Sequence, residues 1–181
     1  MDKNEFTGLV LEAETMLYRI SKSILKNDFD CADAVQEAIL KAFRNSDSLR
    51  EKKYFKTWLC RILIHECYRV CNSRKNITSF EDYTKTEPEF EFEHGDIDLY
   101  GAIMRLKDKH RLVVTLHYIE GFNIPEIAKM LKIPSGTVNS RLSRAKSELK
   151  LFINETNEPN ETEENINEMG QCLPGSAGNF S

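Results

Sequence analysis

Residues 121–151 read GFNIPEIAKMLKIPSGTVNSRLSRAKSELKL, and this stretch decides the fold. Asn123 offers a side chain that accepts from the free N–H groups of a helix start, and Pro125 and Glu126 follow it. A first turn tolerates that proline, and the acid suits the positive end of a helix. Ile127, Ala128 and Leu131 recur on one face, and Lys132-Ile133-Pro134 stops the run. A second helix begins near Ser135, with Val138 and Leu142 on its apolar side. Its other side carries Asn139, Ser140, Arg141, Ser143, Arg144 and Lys146. Small Ala128 lets two helices cross closely, and an apolar back with a front of short polar side chains and arginines suits a DNA major groove. The spacing predicts a helix-turn-helix. A hairpin with a merely solvated basic face would not explain why cap, small residue and basic front arrive together.

Helical periodicity extends upstream, where Leu99, Ile103, Leu106, Leu112, Val113 and Leu116 are apolar. Nearer the start, Phe6, Leu9, Val10, Ala13, Leu17, Ile20 and Ile24 predict an amphipathic helix over residues 5–26. Asn27-Asp28-Phe29-Asp30 is a turn whose acids are expected to cap a second helix over 31–45, with Val35, Ala38, Ile39, Ala42 and Phe43 as its stripe. Ser46-Asp47-Ser48 breaks it. From Lys53 to Arg74 no glycine or proline interrupts, which predicts a third long helix or two joined by a bend. Residues 76–97, NITSFEDYTKTEPEFEFEHGDI, are polar and acidic and read as an extended linker, with the FEFE alternation too charged for a strand. After Ile153 the chain is poor in apolar residues and reads as disordered. The expected class is all-α: a helical domain over 1–75, a flexible acidic linker over 76–98, a helix-turn-helix domain over 99–153 and an acidic tail over 154–181.

The chain has 181 residues, 40% hydrophobic and 30% charged, with a mean hydropathy of -0.49. No window approaches the roughly 18 apolar residues of a spanning helix. The acidic, interrupted N-terminus is unlike a signal peptide, so the cytoplasm is the expected compartment. Five cysteines, Cys31, Cys60, Cys67, Cys71 and Cys172, form no framework-like spacing and fit a reducing environment. A net charge of -4 hides a sharp partition. Residues 1–76 carry 14 basic against 11 acidic side chains, 77–98 carry 1 against 8, 99–152 carry 10 against 4, and 153–181 carry 0 against 6. Two basic modules are separated by an acidic connector and followed by an acidic tail. Local charge decides how a polyanion is met, so the total does not exclude nucleic acid. For the tail, salt screening favours simple solvation over a fold back onto the basic module.

Between residues 52 and 75, Tyr54, Phe55, Trp58 and Tyr68 alternate with Lys52, Lys53, Lys56, Arg61, Arg69, Arg74 and Lys75. Aromatic faces stack on unpaired bases and cations track phosphates, so the mixture suits a separated DNA strand. Taken alone, the stretch is better read as core aromatics, Trp58 and Phe55, beside a solvated face of cations. Cys60, Cys67 and Cys71 with His65 invite a metal or redox reading, but no CxxC pair is present and buried Cys commonly serves as a small apolar residue. His65, His94, His110 and His117 have no hydrolytic spacing, and phosphate loops and nucleophile elbows are absent. Neither a cofactor nor a catalytic metal is expected, and enzyme is the poorest class.

Residues 30–44 (DCADAVQEAILKAFR), 54–70 (YFKTWLCRILIHECYRV) and 105–149 together resemble the extracytoplasmic-function group of bacterial sigma factors, the subunits that give RNA polymerase its promoter specificity. Three motifs occur in order, with an acidic linker where the two domains of that group are joined. The resemblance implies that Asp30, Asp33, Val35, Gln36 and Glu37 dock on the clamp helices of the largest polymerase subunit. It implies that Tyr54, Phe55, Lys56, Trp58, Arg61 and His65 melt and hold the -10 element. It implies that Thr137, Val138, Asn139, Ser140, Arg141, Ser143 and Arg144 enter the -35 major groove. The implied partners are core RNA polymerase, including its flap region, promoter DNA and an anti-sigma factor, in the membrane or free of it, with no membrane insertion of this chain. A free-standing helix-turn-helix regulator with an N-terminal sensing or dimerising domain is the competing reading, separated by whether promoter binding needs the polymerase. The chain departs from the family pattern at His65, where Asn is usual, at Lys132, often Gly, at Pro134, often Ser, and at Cys60, frequently aromatic. Lys132 is therefore expected in a left-handed conformation, with capping duty moved to Ser135.

Overall fold

The structure, a computed structural model, describes residues 2–49, 51–77 and 99–157, with side chains to residue 73 in the first half and to residue 154 in the second. Among the described residues there are seven α-helices and no strand. Helix α1 (Lys3–Leu25) buries Phe6, Ala13, Leu17 and Ile20 and ends at Lys26, whose φ of 62° lets its N–H return to the Lys22 carbonyl. Helix α2 (Asp28–Arg44) starts three residues before the expected position. Its cap is Asn27, which accepts from the Asp30 N–H at 3.2 Å, while Asp28 and Asp30 lie inside the first turn. Two short 3-10 turns (Ser46–Ser48 and Lys52–Tyr54) lead into α3 (Phe55–Ile77), so the long basic run starts as a 3-10 turn and becomes α-helical at Phe55. These three helices pack around Leu17, Ile20, Ala38, Leu59 and Leu63.

The second module is less continuous than the periodicity from Leu99 implies. Helix α4 (Leu99–Arg105) and α5 (Asp108–Val114) are split at Leu106-Lys107, and a π-helical turn (Thr115–Ile119) follows. Helix α6 (Ile124–Leu131) carries the expected capping box, with Asn123 and Glu126 exchanging side chain to backbone bonds of 2.9 Å each way. Lys132 adopts φ 54° and ψ 44°, the left-handed conformation expected there. Helix α7 (Ser135–Asn157) begins directly after Pro134, whose carbonyl accepts from the Thr137 and Val138 N–H groups. Ser135 is thus the first helical residue rather than its cap. Helix α3 runs two residues into the expected linker and α7 runs to Asn157, past the expected domain end. Residues 78–98 and 158–181, with the FEFE run, His94, Cys172 and most of the acidic tail, lie outside the described residues.

The modules are also packed on each other, α1 against α5 and the π turn, α3 against α6. Arg111, fully buried, is the centre of this joint. Its Nε donates to the Ser23 carbonyl at 2.7 Å, Nη1 to the Met104 and Leu106 carbonyls at 3.1 and 2.7 Å, and Nη2 to Asp108 Oδ1 at 2.6 Å. Helices α1 and α4 both end here, and the last carbonyls of a helix carry its negative pole, so two helix ends and one carboxylate balance the guanidinium. Nearby, Arg19 grips Glu120 at 2.7 and 3.3 Å, with the Glu120 side chain nearly buried just after the π turn.

Candidate nucleic-acid interface

Helix α7 rests on α5 and α6 through Val138, Leu142 and Ala145, all buried. At 100° per residue the opposite face presents Asn139, Ser140, Ser143, Arg144 and Ser147, all exposed. Thr137 and Arg141 flank this face and are half-buried. Val138 is 0% exposed, so it holds the helix rather than touching DNA. Ser140 and Ser147 donate back to the carbonyls of Thr137 and Ser143, which keeps the surface short and leaves Arg144 as its longest arm.

Helix α3 carries a second stripe. Trp58, Arg61, His65 and Tyr68 follow at intervals of 3, 4 and 3 residues and share a face, with Tyr54 at its N-terminal end. Phe55 and Lys56 do not join it. Phe55 is 1% exposed, its ring 5.7 Å from Phe6 and 6.1 Å from Trp58, so it is a core residue that seats the half-buried Trp58. Lys56 is exposed about half a turn away from the stripe. Tyr68 also feels the second module: burial pushes its phenol up, and the Arg141 cation opposes that. His65 is 79% exposed, its Nδ1 3.3 Å from Glu66 Oε1.

Glu66 holds this stripe to α2 and went unnoticed in the sequence. Its side chain is 2% exposed and meets Lys41 at 2.7 Å, Arg69 at 2.8 Å and His65. Burial pushes its carboxyl up, but the hydrogen bonds from Lys41, Arg69 and His65 outweigh that and bring it down to about 2. A lone Glu among cations gives no local signal of such burial.

On α2, Asp33 and Gln36 are exposed on one face, Glu37 and Asp30 flank it half-buried, and Val35 turns toward the core and packs there. The same face carries Phe29, 85% exposed, and Leu40 at 48%. Sequence reading missed both, though their spacing with Asp33 and Gln36 (4, 3 and 4 residues) is that of one helical face.

The cysteines behave as small apolar side chains. Cys31, Cys60 and Cys67 are buried and Cys71 half-buried. Burial pushes the Cys31 thiol up, Cys60 to about 12 and Cys67 higher still, which keeps them protonated and unreactive. Among the described residues no group of three His, Cys, Asp or Glu side chains is placed to hold a metal. No helix among them is long and apolar enough to cross a membrane.

Comparison with known proteins matches both modules to one family. Residues 9–77 match the family model of sigma-70 region 2, and residues 97–149 that of sigma-70 region 4. The chain is 31% identical over 133 residues to the RNA polymerase sigma factor SigV of Bacillus subtilis, covering 71% of this chain and 78% of that one. It is 33% identical over 137 residues to the ECF RNA polymerase sigma-E factor of Escherichia coli K12, covering 65% and 70%. Its fold is shared with the sigma factor RpoE of Bartonella quintana, solved with the anti-sigma factor NepR, at a TM-score of 0.72 and 24% identity over 83% of this chain and 97% of that one. CnrH, solved with the cytosolic domain of CnrY, superposes at 0.63 with 20% identity over 85% and 90%. With both regions matched in order and relatives of 31% and 33% identity, the chain belongs to the sigma-70 family of RNA polymerase sigma factors, in its extracytoplasmic-function group.

Proposed function

We propose that this sigma factor reads the -35 element through the α7 face of Asn139, Ser140, Ser143 and Arg144, with Thr137 and Arg141 at its flank. The single observation that supports this most is the clean division of α7, buried along Val138, Leu142 and Ala145 and bare along the other side. Short polar side chains let the backbone approach base edges, while Arg144 reaches a guanine edge or a phosphate. The α3 stripe of Tyr54, Trp58, Arg61 and His65 holds the opened -10 strand, aromatic faces stacking on bases and Arg61 tracking phosphate. Phe55 seats Trp58, and Val138 seats the -35 reader. The exposed α2 face meets core polymerase, with Asp33, Gln36 and Glu37 facing a basic partner and Phe29 and Leu40 as apolar anchors at either side.

The domain over 1–75 does the polymerase and -10 work, that over 99–153 the -35 work. The polymerase supplies the chemistry, and this chain has no catalytic activity of its own. It works in the cytoplasm and is restrained by an anti-sigma factor, a reading supported by RpoE of Bartonella quintana, which is solved with the anti-sigma factor NepR. Promoter binding by the full chain with and without core polymerase tests the reading. Specific protection of both elements should appear only with core enzyme, and tight, specific binding by the chain alone would overturn it.

A further inference from the structure

Where α3 meets α6 a cleft of about 670 Å³ opens between the two modules. Ile62 from one side and Met130 and Leu131 from the other give it an apolar floor. Its rim is cationic, formed by Lys41, Arg61 and Lys132, with Arg61 and Lys132 exposed. The acid in its wall, Glu66, is already held by Lys41, Arg69 and His65. An occupant that fits must combine an apolar edge with several negative charges.

Such a segment lies in this chain. Residues 158–181 contain Glu158, Glu161, Glu163, Glu164 and Glu168 and no basic residue. Among them Ile166, Met169 and Leu173 fall at the spacing of one helical face. Their 24 residues follow directly on α7 and reach about 80 Å when extended, against a folded body about 40 Å across. Tethering raises the local concentration of the segment to the millimolar range, so even a weak contact is populated. Screening by salt, which argues for a solvated tail on charge alone, leaves the apolar part of such a contact intact.

We propose that the acidic C-terminal segment docks in this inter-module cleft, its apolar residues on Ile62, Met130 and Leu131 and its glutamates toward Arg61 and Lys132. The docked segment bridges both modules and covers Arg61 and His65, so it competes with the -10 strand. That consequence rests on the function proposed above; the docking itself does not.

A photo-crosslinking residue placed at Leu131 in the full chain, with no DNA or polymerase present, tests the docking. Crosslinks within one molecule should map by mass spectrometry to residues 158–181. Lys132→Glu should lower their yield about threefold, in the range of one charge contact at a surface, and Glu161→Lys with Glu164→Lys in the same chain should restore it. Crosslinks to a second copy, crosslinks only to neighbouring helices, or a yield indifferent to Lys132→Glu would each overturn the proposal. In a second arm, the Glu161→Lys and Glu164→Lys chain should bind a single-stranded -10 oligonucleotide with core polymerase more tightly than the parent. Tail crosslinking with unchanged strand binding would leave the docking standing and overturn only the competition with the -10 strand.

Discussion

Glu66→Gln tests how far one buried carboxylate holds the α3 stripe on the body of its module. The carboxyl falls from its ordinary 4.5 to about 2 in the fold. A depressed carboxyl stabilises the folded state above its unfolded pKa, and that contribution is lost as pH falls through the folded value. At 1.36 kcal/mol per unit, the shift corresponds to about 3 kcal/mol at neutral pH. Lys41 and Arg69 keep 38% and 57% of their side chains in water. They are therefore not stranded when the charge goes, and the expected loss is about 2–3 kcal/mol. The amide still accepts from one of the two cations through its oxygen, but its NH2 turns donors toward the other, since Lys41 and Arg69 sit on different carboxylate oxygens. Trp58, the one tryptophan of the chain, sits in this module and reports its unfolding by fluorescence. With a urea slope near 1 kcal/mol per molar, the midpoint at pH 7 should drop by about 2–3 M. Between pH 4.5 and 2 the gap between the two proteins should close, because the parent loses what the variant never had. An unchanged midpoint at pH 7, or an equal gap at both ends of the pH range, would refute the reasoning.

Three further outcomes are expected. Asp33→Arg and Glu37→Arg should abolish binding to core polymerase with helicity by circular dichroism intact, since each sets a cation against a basic partner; undiminished holoenzyme assembly by both would remove α2 as the docking face. Arg144→Ala should weaken -35 binding by roughly 1–3 kcal/mol and flatten preference at one position if it reads a base. A uniform loss across sequences with a smaller salt slope makes it a phosphate anchor, and no loss discards it. His65→Asn should change which -10 base is preferred in transcription from promoters carrying each base at every position, because a planar ring that stacks is exchanged for a short amide; identical preferences would show that His65 does not specify the promoter.

Local pattern was enough to read the helices and the turn between α6 and α7. The capping box at Asn123 and the left-handed Lys132 follow from nearest neighbours, and the structure has both. What sequence could not give depends on contacts between distant segments. Arg111 reads as one more cation of a basic module, yet it is buried because the ends of α1 and α4 converge on it from residues 88 and 7 positions away. Phe55 and Lys56 sit within an aromatic and basic run, but it is the packing of α3 on Phe6 of α1 that turns Phe55 into the core and leaves Lys56 off the stripe. The division at Leu106-Lys107 and the π turn before Glu120 leave the apolar spacing almost undisturbed, so periodicity passes over them.

The way Arg111 is bonded makes the joint between the modules separable. Three of its four acceptors, the Met104 and Leu106 carbonyls and Asp108, belong to its own module, and only the Ser23 carbonyl lies across the interface. Drawing the modules apart therefore leaves the guanidinium nearly satisfied, with water taking the place of one carbonyl. Elements named for positions 35 and 10 lie 25 base pairs apart, about 85 Å of duplex, roughly twice the width of the packed body. The 21 residues from 78 to 98 span about 70 Å at full extension. A plug that carries its own counter-charges means that opening the joint breaks one hydrogen bond of the guanidinium and strands no charge, whatever the distance the halves then travel.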